Sequence, residues 1–154
     1  MAKKRRKQMK WIGPFQISKL LDNMMGNLAR KIPPEDKSVY IVSLQHWEGK
    51  PTNKCSPLYV GSTTGKSKRF RTRIGDLIAD MFGFFVGKET GHHSGGQKLY
   101  NYCKEKFVKP QALYIGWLKT SQCQRCDEGK IYKEFNDILL NKNKPNRCDN
   151  HSEK

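Results

Sequence analysis

No stretch of the chain approaches the roughly 20 consecutive apolar residues that a membrane-spanning helix needs, and no apolar segment follows the basic start as in a secretion signal. The expectation is a soluble intracellular protein, cytoplasmic or nucleoid-associated, with no membrane partner. Cysteine is sparse and odd in number, at five residues without a regular framework. That excludes a disulfide scaffold and suits a reducing compartment. Acidic side chains are also scarce: 14 Asp and Glu stand against 30 Lys and Arg, for a net charge of +16. A neutral small-molecule enzyme has no need of such an excess, whereas a protein lying along phosphates does. Nucleic acid is the natural partner, although charge alone names no reaction. Internal repeats are absent, and only the N-terminal run is of low complexity.

At 154 residues the chain suits one domain with tails, since domains usually run to about 100–150 residues. Residues 1–12 read as a disordered basic arm carrying Lys3, Lys4, Arg5, Arg6, Lys7 and Lys10. Residues 13–36 read as an N-terminal helix and linker, because Ile17, Leu20, Leu21, Met24, Met25 and Leu28 follow helical spacing until Pro33-Pro34 stops it. The main domain spans 37–147, and 148–154 is a tail. Two short runs, Val39-Tyr40-Ile41-Val42 and Leu58-Tyr59-Val60-Gly61, are rich in β-branched and aromatic residues and bounded by Pro, Gly and Ser, so they predict strands. A loop over 45–57 joins them. Residues 68–82 predict a helix with Phe70, Ile74, Leu77, Ile78 and Met81 on one stripe and Arg69, Arg71 and Arg73 crowding its start. A loop over 82–96, a short helix over 99–107, a third strand over 112–118 and a last helix from 127 to about 140 complete the pattern. The predicted class is α/β: a small, mainly antiparallel three-stranded sheet flanked by helices.

Two tyrosine strands, an arginine-rich helix and one later glutamate resemble the GIY-YIG endonuclease family. Ser38-Val39-Tyr40 stands at the first motif and Tyr59-Val60-Gly61 at the second. The likeness runs on through Thr72-Arg73-Ile74-Gly75-Asp76-Leu77, His93-Ser94-Gly95-Gly96 and Glu128-Gly129-Lys130-Ile131-Tyr132, covering roughly residues 38 to 147. Ser38 replaces the motif's Gly and Val39 its Ile. The resemblance implies metal-dependent hydrolysis of DNA phosphodiester bonds, with Tyr40 as general base made acidic by nearby positive charge and Tyr59 supporting the water or the phosphate. Some such acidification is required, because an unperturbed tyrosine titrates at about 10.

Arginine suits the phosphate, since its fork donates two hydrogen bonds and keeps its charge. Two alignments compete for the family's arginine, Arg73 and Arg69. Arg73 is preferred because Ile74 follows it and begins the best helical stripe. Lys66, Lys68, Arg69 and Arg71 read as nucleic-acid contacts. On a helical wheel Glu128 aligns with Ile131, Phe135 and Leu139, the face that meets the sheet, where a carboxylate is costly unless it has a task. It is therefore the expected ligand of Mg2+ or Mn2+. Asp127 reads as an N-cap, Glu134 as a surface charge, and His93 as a loop residue able to meet a phosphate.

Cys123, Cys126, Cys148 and His151 have the ligand types of a structural zinc site, but the helix between the two pairs makes that arrangement strained. The competing functional reading is a non-catalytic nucleic-acid-binding module on the same fold. With one site per chain, cutting both strands requires a homodimer or sequential nicks.

Overall fold

The computed structural model describes residues 10–26, 31–62, 69–84, 94–120 and 123–141. Four strands, β1 (Trp11–Gln16), β2 (Ser38–Ser43), β3 (Pro57–Ser62) and β4 (Tyr114–Lys119), form one antiparallel sheet in the order β1-β4-β2-β3. Among the described residues four α-helices flank it: α1 (Ile17–Met25), α2 (Phe70–Met81), α3 (Ser94–Lys106) and α4 (Gln124–Phe135). The α/β class stands, but the sheet has four strands rather than three.

The additional strand, β1, lies where the sequence reads as the end of a basic arm and the start of a helix. Gly13 and Pro14 interrupt its apolar run and hide the strand pattern. They are tolerated because β1 is an edge strand whose register with β4 shifts between Ile12 and Phe15, leaving the pair at the irregularity. There, a Cβ on Gly13 would press on the Ile115 carbonyl. The helix that follows starts at Ile17, once β1 has ended, and seats Ile17 and Leu20 in the core.

Strict alternation along β2 divides the interior into two layers. Tyr40 and Val42 face a core shared with Phe70, Ile74, Leu77 and Leu99, while Val39 and Ile41 face a second core with Ile131 and Phe135 of α4. All six residues of β2 are buried, as expected for a central strand covered on both faces. The apolar stripe of α2 is entirely buried, in agreement with its spacing.

Two helix starts lie earlier in the chain than the sequence suggests. α3 begins at Ser94, taking in Gly95 and Gly96, which are poor helix formers. Close packing explains both: a Cβ at Gly95 would enter the Tyr59 ring, and one at Gly96 would strike Asp80 and the Leu77 carbonyl. α4 begins at Gln124, so Asp127 lies inside its first turn and is not the N-cap; Cys123 holds that position without a side-chain cap. The α4 helix ends at Phe135 rather than near residue 140, and Ile138 beyond it is 47% exposed. The loop between β2 and β3 folds back on the sheet, with Leu44 and Gln45 amides bonded to Ser56 and Cys55 and Trp47 buried against Gly116.

Candidate active site

The register of β2 on β3 sets Tyr40 opposite Gly61 and Val42 opposite Tyr59. Both phenols therefore project from one face as a diagonal pair, with ring centroids 6.2 Å apart and planes inclined by 24°. The glycine two residues after Tyr59 has a direct physical role: a Cβ at Gly61 would overlap the Tyr40 hydroxyl. Only glycine there lets the Tyr40 ring lie across the neighbouring strand. Phe70, the first residue of α2, holds the far side of Tyr40 at 6.2 Å between centroids.

The carboxylate arrives from the opposite layer. Ser62, the last residue of β3, donates its hydroxyl to Glu128 Oε2 at 2.7 Å, which fixes the start of α4 to that end of the edge strand. There the charges of Glu128 and Arg73 are felt by Tyr40, and the charge of Arg73 is felt by Glu128. Tyr40, Tyr59, Arg73 and Glu128, distant in sequence, thus form one electrostatic cluster at the end of the sheet where β3 finishes. Arg73 rather than Arg69 is the arginine whose charge reaches both Tyr40 and Glu128; Arg69 is exposed just before α2. Arg73 Nε is buried and has no hydrogen-bond partner among the described residues. A buried guanidinium donor with no acceptor among the described residues, within electrostatic reach of a carboxylate and a phenol, can receive an added acceptor.

Burial dominates the titration of both acidic groups. The Tyr40 phenol lies well above the ordinary tyrosine value, raised first by burial and then by Tyr59, with the Arg73 charge lowering it and Glu128 raising it again. The expected acidification by nearby positive charge is thus present but outweighed, and in the resting protein Tyr40 holds its proton. The Glu128 carboxyl is raised by burial, against the lowering effects of the Ser62 hydrogen bond, Arg73 and Arg125. Such a half-buried, incompletely compensated carboxylate with hard oxygen donors fits a small divalent cation, which takes one or two carboxylates and completes its shell with water and phosphate oxygens.

The remaining expected residues divide in two. Arg71 is held within the fold: its Nε donates to the Pro33 carbonyl at 2.7 Å and its Nη1 lies 3.6 Å from Glu35. Glu134 is exposed, as its wheel position implies. His93, Lys66 and Lys68 lie outside the described residues, as do Cys148 and His151 of the zinc reading. Cys123 and Cys126 are half-buried thiols, and no group of three or more metal-ligating side chains occurs among the described residues.

Three neighbours had no sequence signal of their own. Ser62 follows the second tyrosine motif as an ordinary strand serine. Arg125 stands three residues before Glu128, a helical spacing that brings the two side chains together. Lys98 holds its Nζ 6.0 Å from the Tyr59 ring centroid, within reach of a cation–π contact. A cavity of about 490 Å³ lies elsewhere, lined by Leu58, Phe135, Ile138 and Leu140 among others, and contains none of the clustered groups.

No protein-family model, curated protein or solved structure matches this chain. None of the described helices is long and apolar enough to cross a membrane.

Proposed function

We propose that the cluster hydrolyses DNA phosphodiester bonds as a GIY-YIG-type endonuclease, with DNA as both partner and substrate. The observation that carries this reading is the convergence of Tyr40, Arg73 and Glu128 from a strand, a helix and a second layer, in a protein of net charge +16. No packing requirement explains a carboxylate and a guanidinium within electrostatic reach of a buried phenol, because each costs desolvation free energy that apolar residues would not.

Each group has a task that its setting suits. Arg73, whose buried Nε has no partner among the described residues, receives a non-bridging phosphate oxygen and stabilises the charge that grows on it. Tyr40 is held by Phe70 and Gly61 in one position and exchanges a proton with the attacking water, while Tyr59 fixes the water or phosphate beside it. Glu128, oriented by Ser62, is the residue that would hold Mg2+ or Mn2+. A metal held there would supply positive charge for the leaving oxygen and for the Tyr40 phenolate. Tyr40, whose phenol burial raises, would act as a base only with added positive charge nearby, so nicking is expected to require Mg2+ or Mn2+ and to speed up as pH rises. One site cuts one strand, and double-strand scission takes a homodimer or two successive nicks.

A second reading draws on the complete burial of Tyr40 and its raised titration, which suit a non-catalytic nucleic-acid-binding module equally well. A supercoiled-plasmid assay in magnesium or manganese separates the two. The endonuclease reading expects nicking by the wild type and loss of at least about a hundredfold in Tyr40→Phe and Glu128→Ala, the scale of one removed acid–base or electrostatic group. Plasmid retention without scission by the wild type would favour the binding module.

A further inference from the structure

Phe107 is placed at a cost that folding does not require. It follows the last turn of α3, is 96% exposed, and has a left-handed backbone with φ +56°. The Val108 amide donates to the Cys103 carbonyl at 3.0 Å, a helix-closing bond that puts the intervening residue in the conformation glycine adopts without strain. Phenylalanine therefore strains the backbone and leaves a whole ring in water. The other large apolar residues exposed among those described, Ile12, Met25, Phe82, Phe84 and Ile138, all keep an ordinary negative φ. Lys104, Lys106 and Lys109, each exposed, lie within three residues of the ring and outnumber the one exposed acid there, Glu105.

A bare π face among cations suits one ligand chemistry above others: a nucleobase to stack on the ring, with its flanking phosphates on the ammonium groups. We propose that Phe107, with Lys104, Lys106 and Lys109, forms a stacking site for an unpaired base of a nucleic-acid strand. The charge of the whole protein favours this polyanion. The site also lies at a useful distance. Gly95, against Tyr59, and Phe107 bracket α3, so the ring sits roughly 18 Å along the helix from the tyrosine pair. That separation corresponds to about five nucleotides of stacked strand. The proposal shares with the endonuclease reading only its nucleic-acid partner and needs no scission.

The test measures binding of fluorescein-labelled oligo(dT) and of a blunt duplex to the full chain in EDTA, where no metal-dependent cutting occurs. Phe107→Gly removes ring and strain together and is expected to raise the melting temperature by a few degrees, so that misfolding cannot explain its loss of affinity. Single-strand affinity should fall roughly tenfold in Phe107→Gly and Phe107→Leu, recover in Phe107→Trp, and change less than about twofold for the duplex. Equal oligo(dT) affinity in wild type and Phe107→Gly overturns the proposal. So does loss of binding to phosphatidylserine vesicles with oligonucleotide affinity intact, which would assign the ring to a lipid surface. A plasmid left uncut while Phe107→Gly loses single-strand affinity sinks the endonuclease reading alone; a nicked plasmid with unchanged affinity sinks this one alone.

Discussion

At the scale of single residues, the site depends on a glycine and a carboxylate whose environments are unusual for opposite reasons. Gly61 is the space in which the Tyr40 phenol lies, and Tyr40 is fully buried with no room to withdraw. Gly61→Ala should therefore lower stability by about 1–3 kcal/mol through overpacking and displace the phenol, with loss of plasmid nicking. Chemical denaturation checks the first effect, and native stability with full nicking would contradict it. Glu128 is unusual because the fold raises its carboxyl above the ordinary range. The folded protein then binds that proton more tightly than the unfolded chain. This contribution to stability is complete below the unfolded value and is lost as pH rises through the raised folded one. Glu128→Gln, which is neutral at every pH, should melt higher than the wild type at neutral pH, with the gap closing as the buffer is made acidic. A gap independent of pH would mean the carboxylate is not held at a cost.

These residues also differ in how far the sequence reveals them. Strand alternation orders the faces within β2 and within β3, the register between them sets Tyr40 and Tyr59 on one face, and the helical wheel is enough to turn Glu128 toward the sheet. Neither pattern carries information about Ser62, because a serine's partner is fixed by where another helix lands. The direction of the Tyr40 shift is hidden for a similar reason. A nearby arginine can be guessed from spacing, but complete burial is a property of the assembled layers, and here it outweighs the arginine.

Among the elements, the edge strand β3 carries both the second tyrosine and the serine that anchors Glu128, so its protection matters to the site. The chain after α4 runs along its free edge. Leu140 donates its amide to the Leu58 carbonyl at 2.7 Å, and the Asn141 side chain takes both backbone groups of Val60, accepting from its amide at 3.2 Å and donating to its carbonyl at 2.9 Å. A side-chain amide thus replaces the ladder partner that an edge strand lacks. Asn141→Ala should cost about 1–2 kcal/mol and speed hydrogen exchange at the Val60 amide. Exchange at the wild-type rate would show that the strand needs no such cover. Elements with uninterrupted patterns, β2, β3, β4 and α2, were legible in the sequence. β1 was not, because Gly13 and Pro14 belong to an edge irregularity that only its pairing with β4 explains. The start of α3 was not, because Gly95 and Gly96 are chosen by contact with Tyr59 and Asp80 rather than by helix propensity.

For the whole molecule, two packed layers meet at the end of one sheet, and the groups that meet there are those that packing alone would exclude. The first layer supplies a phenol pair and a guanidinium whose Nε has no partner among the described residues; the second supplies a carboxylate tied to Ser62. A net charge of +16 favours a polyanionic partner without specifying its sequence. Plasmid nicking in magnesium by Glu128→Gln, a variant of nearly identical shape expected to be at least as stable as the wild type, tests the convergence most directly. The outcome expected is a folded protein that retains DNA binding and loses nicking by at least about a hundredfold. Nicking at the wild-type rate would mean that the carboxylate has no part in the chemistry and that the cluster is not a hydrolytic site.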